Sequence, residues 1–391
     1  MNIPKEFDEI RPYSPEELPA VYDALLSDSG FMELVDRMFP SLSHEQFAAL
    51  LRSCKTNQEV QEKIIYGVVQ NIEKQHTDGV SLDTDALDPE KRYTFVSNHR
   101  DIVTDPTFLS KGLVDNHFPC TVEIAIGDNL LVYPWIKRLV RVLKAFIVQR
   151  SLHMREMLIS SRRMSRYMHF AIAEKHENIW IAQRQGRAKD SDDRTQDSIL
   201  KMMAMGGEGT PIERLIQLHI VPLSLSYEYD PCDYLKAMEF QLKRDDPHYV
   251  KTGANDLLNM QTGLTGYKGR VHFAAAPCMD EWLRKQEGMT DKNAFFEKAA
   301  RHIDHEIFTH YRLYPCNYAA ADMLRGGERF KAHYTEEEKK HFEEYLASRI
   351  ALIDLPNKDE AFLRERILTM YANPALNKAD AEEQDKNGTA E

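Results

Sequence analysis

The run Phe95-Val96-Ser97-Asn98-His99-Arg100-Asp101-Ile102-Val103-Thr104-Asp105-Pro106 passes from an apolar, β-branched segment straight into a histidine followed by aspartates. Histidine changes charge near neutral pH, so it can take a proton from a hydroxyl and return it. A carboxylate beside it fixes its tautomer and stabilises the imidazolium. The apolar run predicts a strand that ends at Asn98-His99, which puts His99 at the carboxyl edge of a sheet, where α/β folds place reacting groups. Two aspartates compete for the histidine. Asp101 stands at the strand-to-loop junction and is suited to bonding local backbone. Asp105, six residues after His99, is therefore expected to approach an imidazole nitrogen within about 3.2 Å. His99-Arg100-Asp101 also spells the start of a protein-kinase catalytic loop. Pro106 stands where that motif needs Asn, and neither a Gly-rich loop nor Asp-Phe-Gly follows in the right place.

Three further stretches have chemistry in them. Ala145-Phe146-Ile147-Val148-Gln149-Arg150 is an apolar run that ends in arginine. Trp180-Ile181-Ala182-Gln183-Arg184-Gln185-Gly186-Arg187-Ala188-Lys189 breaks at a glycine between arginines. Arginine at a strand end beside a glycine turn suits bidentate capture of a phosphate. Ile220-Val221-Pro222-Leu223-Ser224 is an apolar run interrupted by proline, a residue that belongs at an edge, a bulge or a channel wall.

The elements that must position these groups follow from periodicity. Runs 92–97, 120–126, 145–150, 178–183, 218–227 and 269–275 predict strands, and 106–115, 130–144, 152–174, 196–204, 211–215 and 230–241 predict the helices between them. Such alternation indicates an α/β fold: a central mixed, largely buried sheet flanked by helices. Residues 1–90 read as a helical N-terminal region, with starts at Ser14-Pro15 and Ser43 and a loop over 75–91. The α/β domain spans 91–276, a helical C-terminal extension 277–374, and 375–391 reads as a polar, disordered tail.

Taken in order, the four stretches resemble the lysophospholipid (glycerophospholipid) acyltransferase family, whose members include 1-acyl-glycerol-3-phosphate acyltransferases. The blocks are Asn98-His99 with Asp105, Phe146 to Arg150, Gln185-Gly186-Arg187, and Val221-Pro222, within roughly residues 92–230. Asn-His-Arg-Asp-Ile and the later Gly-Arg-Ala-Lys-Asp look like a bacterial branch of it. Two departures stand out: one extra residue between histidine and aspartate, and Gln185 where the family has glutamate. The resemblance implies that His99 acts as base and Asp105 orients it, with an acyl thioester of coenzyme A or acyl carrier protein as co-substrate. It implies direct attack without an acyl-enzyme, and neither metal nor redox cofactor. The acceptor phosphate falls to Arg187 first, with Arg184 and Arg150 as partners or alternatives, and Asn98, Gly186 and Pro222 support the site. Glycerol-3-phosphate or a lyso aminolipid is the alternative acceptor. A non-catalytic lipid-binding protein is the alternative class.

Charge and composition bound the partners. Hydrophobic residues make up 42% of the 391-residue chain and charged residues 29%, enough for a full core. The net charge of -12 argues against general nucleic-acid binding. The stretch from Lys137 to Met168 nevertheless holds nine basic residues and one acid, Glu156, a place to receive phosphate or a membrane surface. Over 135–145 Trp135, Ile136, Leu139, Val140, Val142 and Leu143 fall on one helical arc, with Lys137, Arg138, Arg141 and Lys144 on the other. That pattern describes an interfacial helix, or an ordinary one packed on the sheet. The band 135–166 is thus expected to hold the protein peripherally on the inner face of the cytoplasmic membrane. No apolar run is long enough to span a bilayer, and the first residues lack a secretory signal. Five cysteines without CxxC spacing read as free thiols, with no zinc site.

Overall fold

Strands buried on both faces read as continuous apolar runs, because neighbouring side chains point to opposite cores. The computed structural model, which describes residues 3–149 and 154–388, shows this directly. Phe95, Trp180 and Val221 enter one core, while their neighbours Val96, Ile179, Ile181 and Ile220 enter the other. The strands are β1 (Val80–Asp83), β2 (Thr94–Ser97), β3 (Val122–Gly127), β4 (Ala145–Val148), β5 (Asn178–Ala182), β6 (Ile220–Tyr227) and β7 (Val271–Ala275). They form a mixed sheet in the order β1-β7-β6-β2-β5-β3-β4. Only the β6–β7 pair is antiparallel among the described residues. β2 is therefore central, flanked by β5 and β6, and its carboxyl end opens toward His99.

Helix Thr104–Asp115 packs Phe108, Leu109 and Leu113 on one face of the sheet. Helices Met154–Ala173 and Lys292–Thr309 cover the other with Tyr167, Met168, Phe295 and Ile303. At the N-terminus, helices Leu18–Leu26, Ser29–Met38 and His44–Ser53 make a small cluster of their own around Tyr22, Phe31 and Phe47. Ser43 and Gln46 close a reciprocal capping box at the third of these. The first begins at Leu18 rather than at Pro15. The Glu17 carboxylate accepts the Ser14 N–H at 2.7 Å and a bond from Arg11 at 2.6 Å, which holds 14–17 as a turn.

The structure corrects three expectations. Residues 80–83, expected in a loop, form β1 beside β7, with Val80 and Leu82 packed on the core and Ser81 bonded to His272 Nδ1 at 2.8 Å. A helix not anticipated from the sequence runs over Gly253–Thr265. The polar tail expected to be disordered from 375 instead continues the helix Glu360–Lys386 through Pro374. Ala375, Asn377 and Ala381 are buried there, so a few inward-facing positions outweigh the charged exterior.

The amphipathic segment at 135–145 follows the second of its two readings, a helix packed within the protein. Helix Pro134–Val142 directs its apolar arc inward: Trp135, Leu139 and Leu143 pack on the N-terminal helices. Two cations of the segment 135–145 are consumed inside the fold. Arg141 donates to the backbone oxygens of Arg11 and Asp8, both at 2.7 Å, and Lys144 meets Glu177 at 2.7 Å. Arg163 and Arg166 pair with Glu9 and Glu6. No helix among the described residues is long and apolar enough to cross a membrane.

Candidate active site

The exit of β2 is clamped before the chemistry begins. Buried Asn98 bonds β6 twice through its side chain, donating to Leu225 O at 2.9 Å and accepting from Leu225 N–H at 2.8 Å. His99 follows and leans edge-on against Trp180, with ring centroids 5.5 Å apart. Its Nδ1 lies 2.7 Å from Asp105 Oδ2. The carboxylate only accepts, so Nδ1 carries the proton and Nε2 is left for the cavity that His99 lines.

Asp105 sits in the first turn of helix Thr104–Asp115 and is fully buried. Besides His99, its Oδ2 receives the backbone N–H of Arg100 at 2.7 Å and of Asp101 at 3.0 Å. Its Oδ1 receives the hydroxyl of Tyr227 at 2.9 Å. The extra residue between His99 and Asp105 is taken up by this tight wrapping of the loop around the carboxylate. Asp101, the rival, instead accepts from Val103 N–H at 2.9 Å and Thr104 N–H at 2.7 Å, starting the helix. Burial, with Asp105 beside it, pushes the Tyr227 hydroxyl well above its ordinary pKa, so it stays a donor.

The arginine loop follows β5. Gly186 takes φ +74°, a left-handed conformation that a glycine adopts at little cost. Arg184, Gly186 and Arg187 line the same cavity as His99. Arg187 donates from Nη2 to Asn259 Oδ1 at 3.0 Å, while its Nη1 is buried with no hydrogen-bond partner. It pairs with neither Asp190 nor Asp192. Asp192 is taken by Arg194 at 2.9 Å. Behind Arg187 lie Asp230 and Lys236, joined as an ion pair. Burial alone would raise Asp230, but Lys236 and Arg187 hold it below the usual carboxylate range. Asn259 reaches the site because helix Gly253–Thr265 approaches closely: a Cβ on Gly263 would lie 1.8 Å from Asp101 Oδ2. Pro222 does not line the cavity. It pairs with Val96 in β2, one residue before the β6–β7 ladder begins at Leu223. Arg150 lies outside the described residues.

The cavity measures about 1870 Å³ and runs from His99 and the arginine loop past Val103, Trp135, Leu139, Val140 and Met164. Its lining is mostly apolar with polar groups interspersed, which fits an amphipathic molecule. Three polar groups of the site had no signature in the sequence: Tyr227, Lys236 and Asn259.

The C-terminal helices brace this loop. Asn377 bonds both Arg194 and Asp192, and Asp304 Oδ1 accepts from Thr195 N–H at 2.7 Å and Thr195 Oγ1 at 2.6 Å. Burial raises Asp304 to about 6. Its folded pKa lies above the unfolded one, so its stabilising contribution is complete below the unfolded value and is lost as pH rises through about 6. Asp304→Asn keeps the accepting oxygen and removes that titration. Between about pH 4 and pH 7 the stability difference is expected to move in the variant's favour by roughly 2–3 kcal/mol. Urea unfolding at both values checks this; a pH-independent difference contradicts it.

Residues 69–226 match the sequence model of the Acyltransferase family. Over this segment the chain is similar to that family. The segment contains β2, the His99–Asp105 pair, the arginine loop and most of β6. The chain is also similar in structure to a solved 1-acyl-sn-glycerophosphate acyltransferase, PlsC, from Thermotoga maritima. That likeness has 13% identity and a TM-score of 0.38, and covers 74% of this chain and 95% of the other. No curated protein sequence matches the chain.

Proposed function

We propose that this acyltransferase moves a fatty acyl group from an acyl thioester, of coenzyme A or acyl carrier protein, to the hydroxyl of a lysophospholipid in phospholipid biosynthesis. The observation that carries the reading is the His99–Asp105 pair opening onto a large, mostly apolar cavity that it shares with Arg187. His99 Nε2 takes the acceptor's hydroxyl proton, and Asp105 holds the ring and stabilises the imidazolium. The acceptor oxygen bonds the thioester carbonyl carbon, the carbon–sulfur bond breaks, and the departing thiolate recovers the proton from His99. Arg187, with Arg184 beside it, holds the acceptor phosphate, and the hydrocarbon lies along Val103, Trp135 and Met164. The test is turnover of an acyl thioester by the full chain with 1-acyl-glycerol-3-phosphate present or absent. Free thiol and a diacyl product that need both substrates support the reading. Thioester loss without a diacyl product overturns it.

Such substrates reside in membranes, and a different surface from the expected arc suits contact with one. Val132, Tyr133, Met157, Leu158 and Ile159 are exposed, and Tyr133 and Met157 also line the cavity. Lys137, Arg155 and Arg162 are exposed in the neighbouring helices. Apolar side chains rimmed by cations at a cavity mouth fit an anionic lipid surface. Leu158 is 60% and Ile159 61% exposed. Charging both, as Leu158→Glu with Ile159→Glu, is expected to lower binding to anionic vesicles at least about tenfold, and raised salt to weaken what remains. Unchanged vesicle binding by the double variant contradicts this contact.

A further inference from the structure

At the end of the sheet opposite His99, three side chains of different chemistry converge. His219 immediately precedes β6, and Cys278 and Asp280 follow β7. The antiparallel β6–β7 pairing brings these segments together, and Met279 N–H donates to Ile220 O at 2.8 Å. His219 holds a left-handed φ of +48°, which a side-chain-bearing residue rarely adopts, and its Nδ1 lies 2.7 Å from Asp280 Oδ2. One ligand atom from each of the three residues lies within 4.8 Å of the others. The second oxygen of Asp280 is buried and has no hydrogen-bond partner.

We propose that His219, Cys278 and Asp280 form a binding site for Zn²⁺. Thiolate, imidazole and carboxylate together are a donor set that zinc accepts, at about 2.3 Å for sulfur and 2.0–2.2 Å for nitrogen and oxygen. Modest side-chain rotation brings the three atoms onto one ion. Two anionic ligands and a neutral imidazole balance the dication, so no net charge is buried. Binding forms the sulfur–zinc bond as the Cys278 thiol releases its proton to solvent. The His219 side chain is 41% exposed, which leaves a solvent-facing fourth position for water. The alternative is a plain His219–Asp280 ion pair at the start of helix Asp280–Arg284. That pair alone leaves Asp280 Oδ1 without a hydrogen-bond partner. The ion would staple the entrance of β6 to the exit of β7, remote from the His99 cavity. The sequence hides the site because its ligands come from segments about sixty residues apart and the cysteines lack paired spacing.

Cobalt substitution tests it. The full chain, stripped of metal with a chelator, is titrated with Co²⁺ while the thiolate-to-cobalt charge-transfer absorption is followed. The band is expected to saturate at one equivalent and to be displaced by Zn²⁺. It disappears in Cys278→Ser, persists in Cys54→Ser, and needs at least about tenfold more metal in His219→Gln. Zn²⁺ is also expected to raise the thermal midpoint of the wild type and not that of Cys278→Ser. A missing band in the folded wild type, or one that survives in Cys278→Ser, overturns the site and leaves the ion pair alone.

Discussion

His99→Ala is expected to lower acyl transfer by about 10²–10⁴-fold while the protein stays folded. The loss follows from the geometry. With Nδ1 donating to Asp105 at 2.7 Å, Nε2 is the basic atom presented to the cavity, and alanine leaves nothing in its place. The fold tolerates the change because Asp105 keeps three other donors: the backbone N–H groups of Arg100 and Asp101, and the Tyr227 hydroxyl. Single-turnover kinetics with a saturating thioester, run beside a thermal melt, separate lost chemistry from lost structure. Near-wild-type turnover by the folded variant removes His99 from the role of base.

On the proposed function, Arg187→Lys is expected to reduce kcat/KM for a phosphate-bearing acceptor by about ten- to a hundredfold and to leave the apparent affinity for the thioester unchanged. Arg187 spends Nη2 on Asn259 and keeps a buried Nη1 without a protein partner, on a residue that faces the His99 cavity. A guanidinium holds a phosphate through parallel bonds that an ammonium cannot reproduce, and hydrogen bonds to a charged partner contribute about 1.5–3 kcal/mol. The charge survives the substitution, so the measurement reports geometry rather than electrostatics. The two substrates are varied separately in the same assay. Unchanged acceptor kinetics with a lowered melting temperature assign Arg187 to bracing the loop, and move the phosphate to Arg184.

What was legible in the chain is what local chemistry encodes. Continuous apolar runs marked β2 to β7, because a strand buried on both faces needs no partner to declare itself. The Ser43 capping box was readable for the same reason, since its bonds span three residues. The choice of Asp105 over Asp101 followed from loop chemistry close to the histidine. Where long-range contact decides, the residues are silent. β1 has only Val80 and Leu82 to signal it and exists because β7 offers an edge. The helix after 374 looks like a solvated tail until Ala375, Asn377 and Ala381 meet the rest of the fold. The arc of Trp135 and Leu139 is equally suited to lipid or to protein, and the N-terminal helices take it. Tyr227, Asn259 and Lys236 enter the site from elements that start far from His99 in the chain.

The sequence by itself determined the α/β alternation, the strand end that carries His99, and the nearby carboxylate able to serve it. Those features depend on side-chain periodicity and bonds within a few residues. Only the tertiary structure decided which partner completes Arg187, which cations remain exposed, and which apolar surface is left to face outward. Each of these is a competition between distant segments for the same buried space, and its outcome is set by which contacts exclude water together.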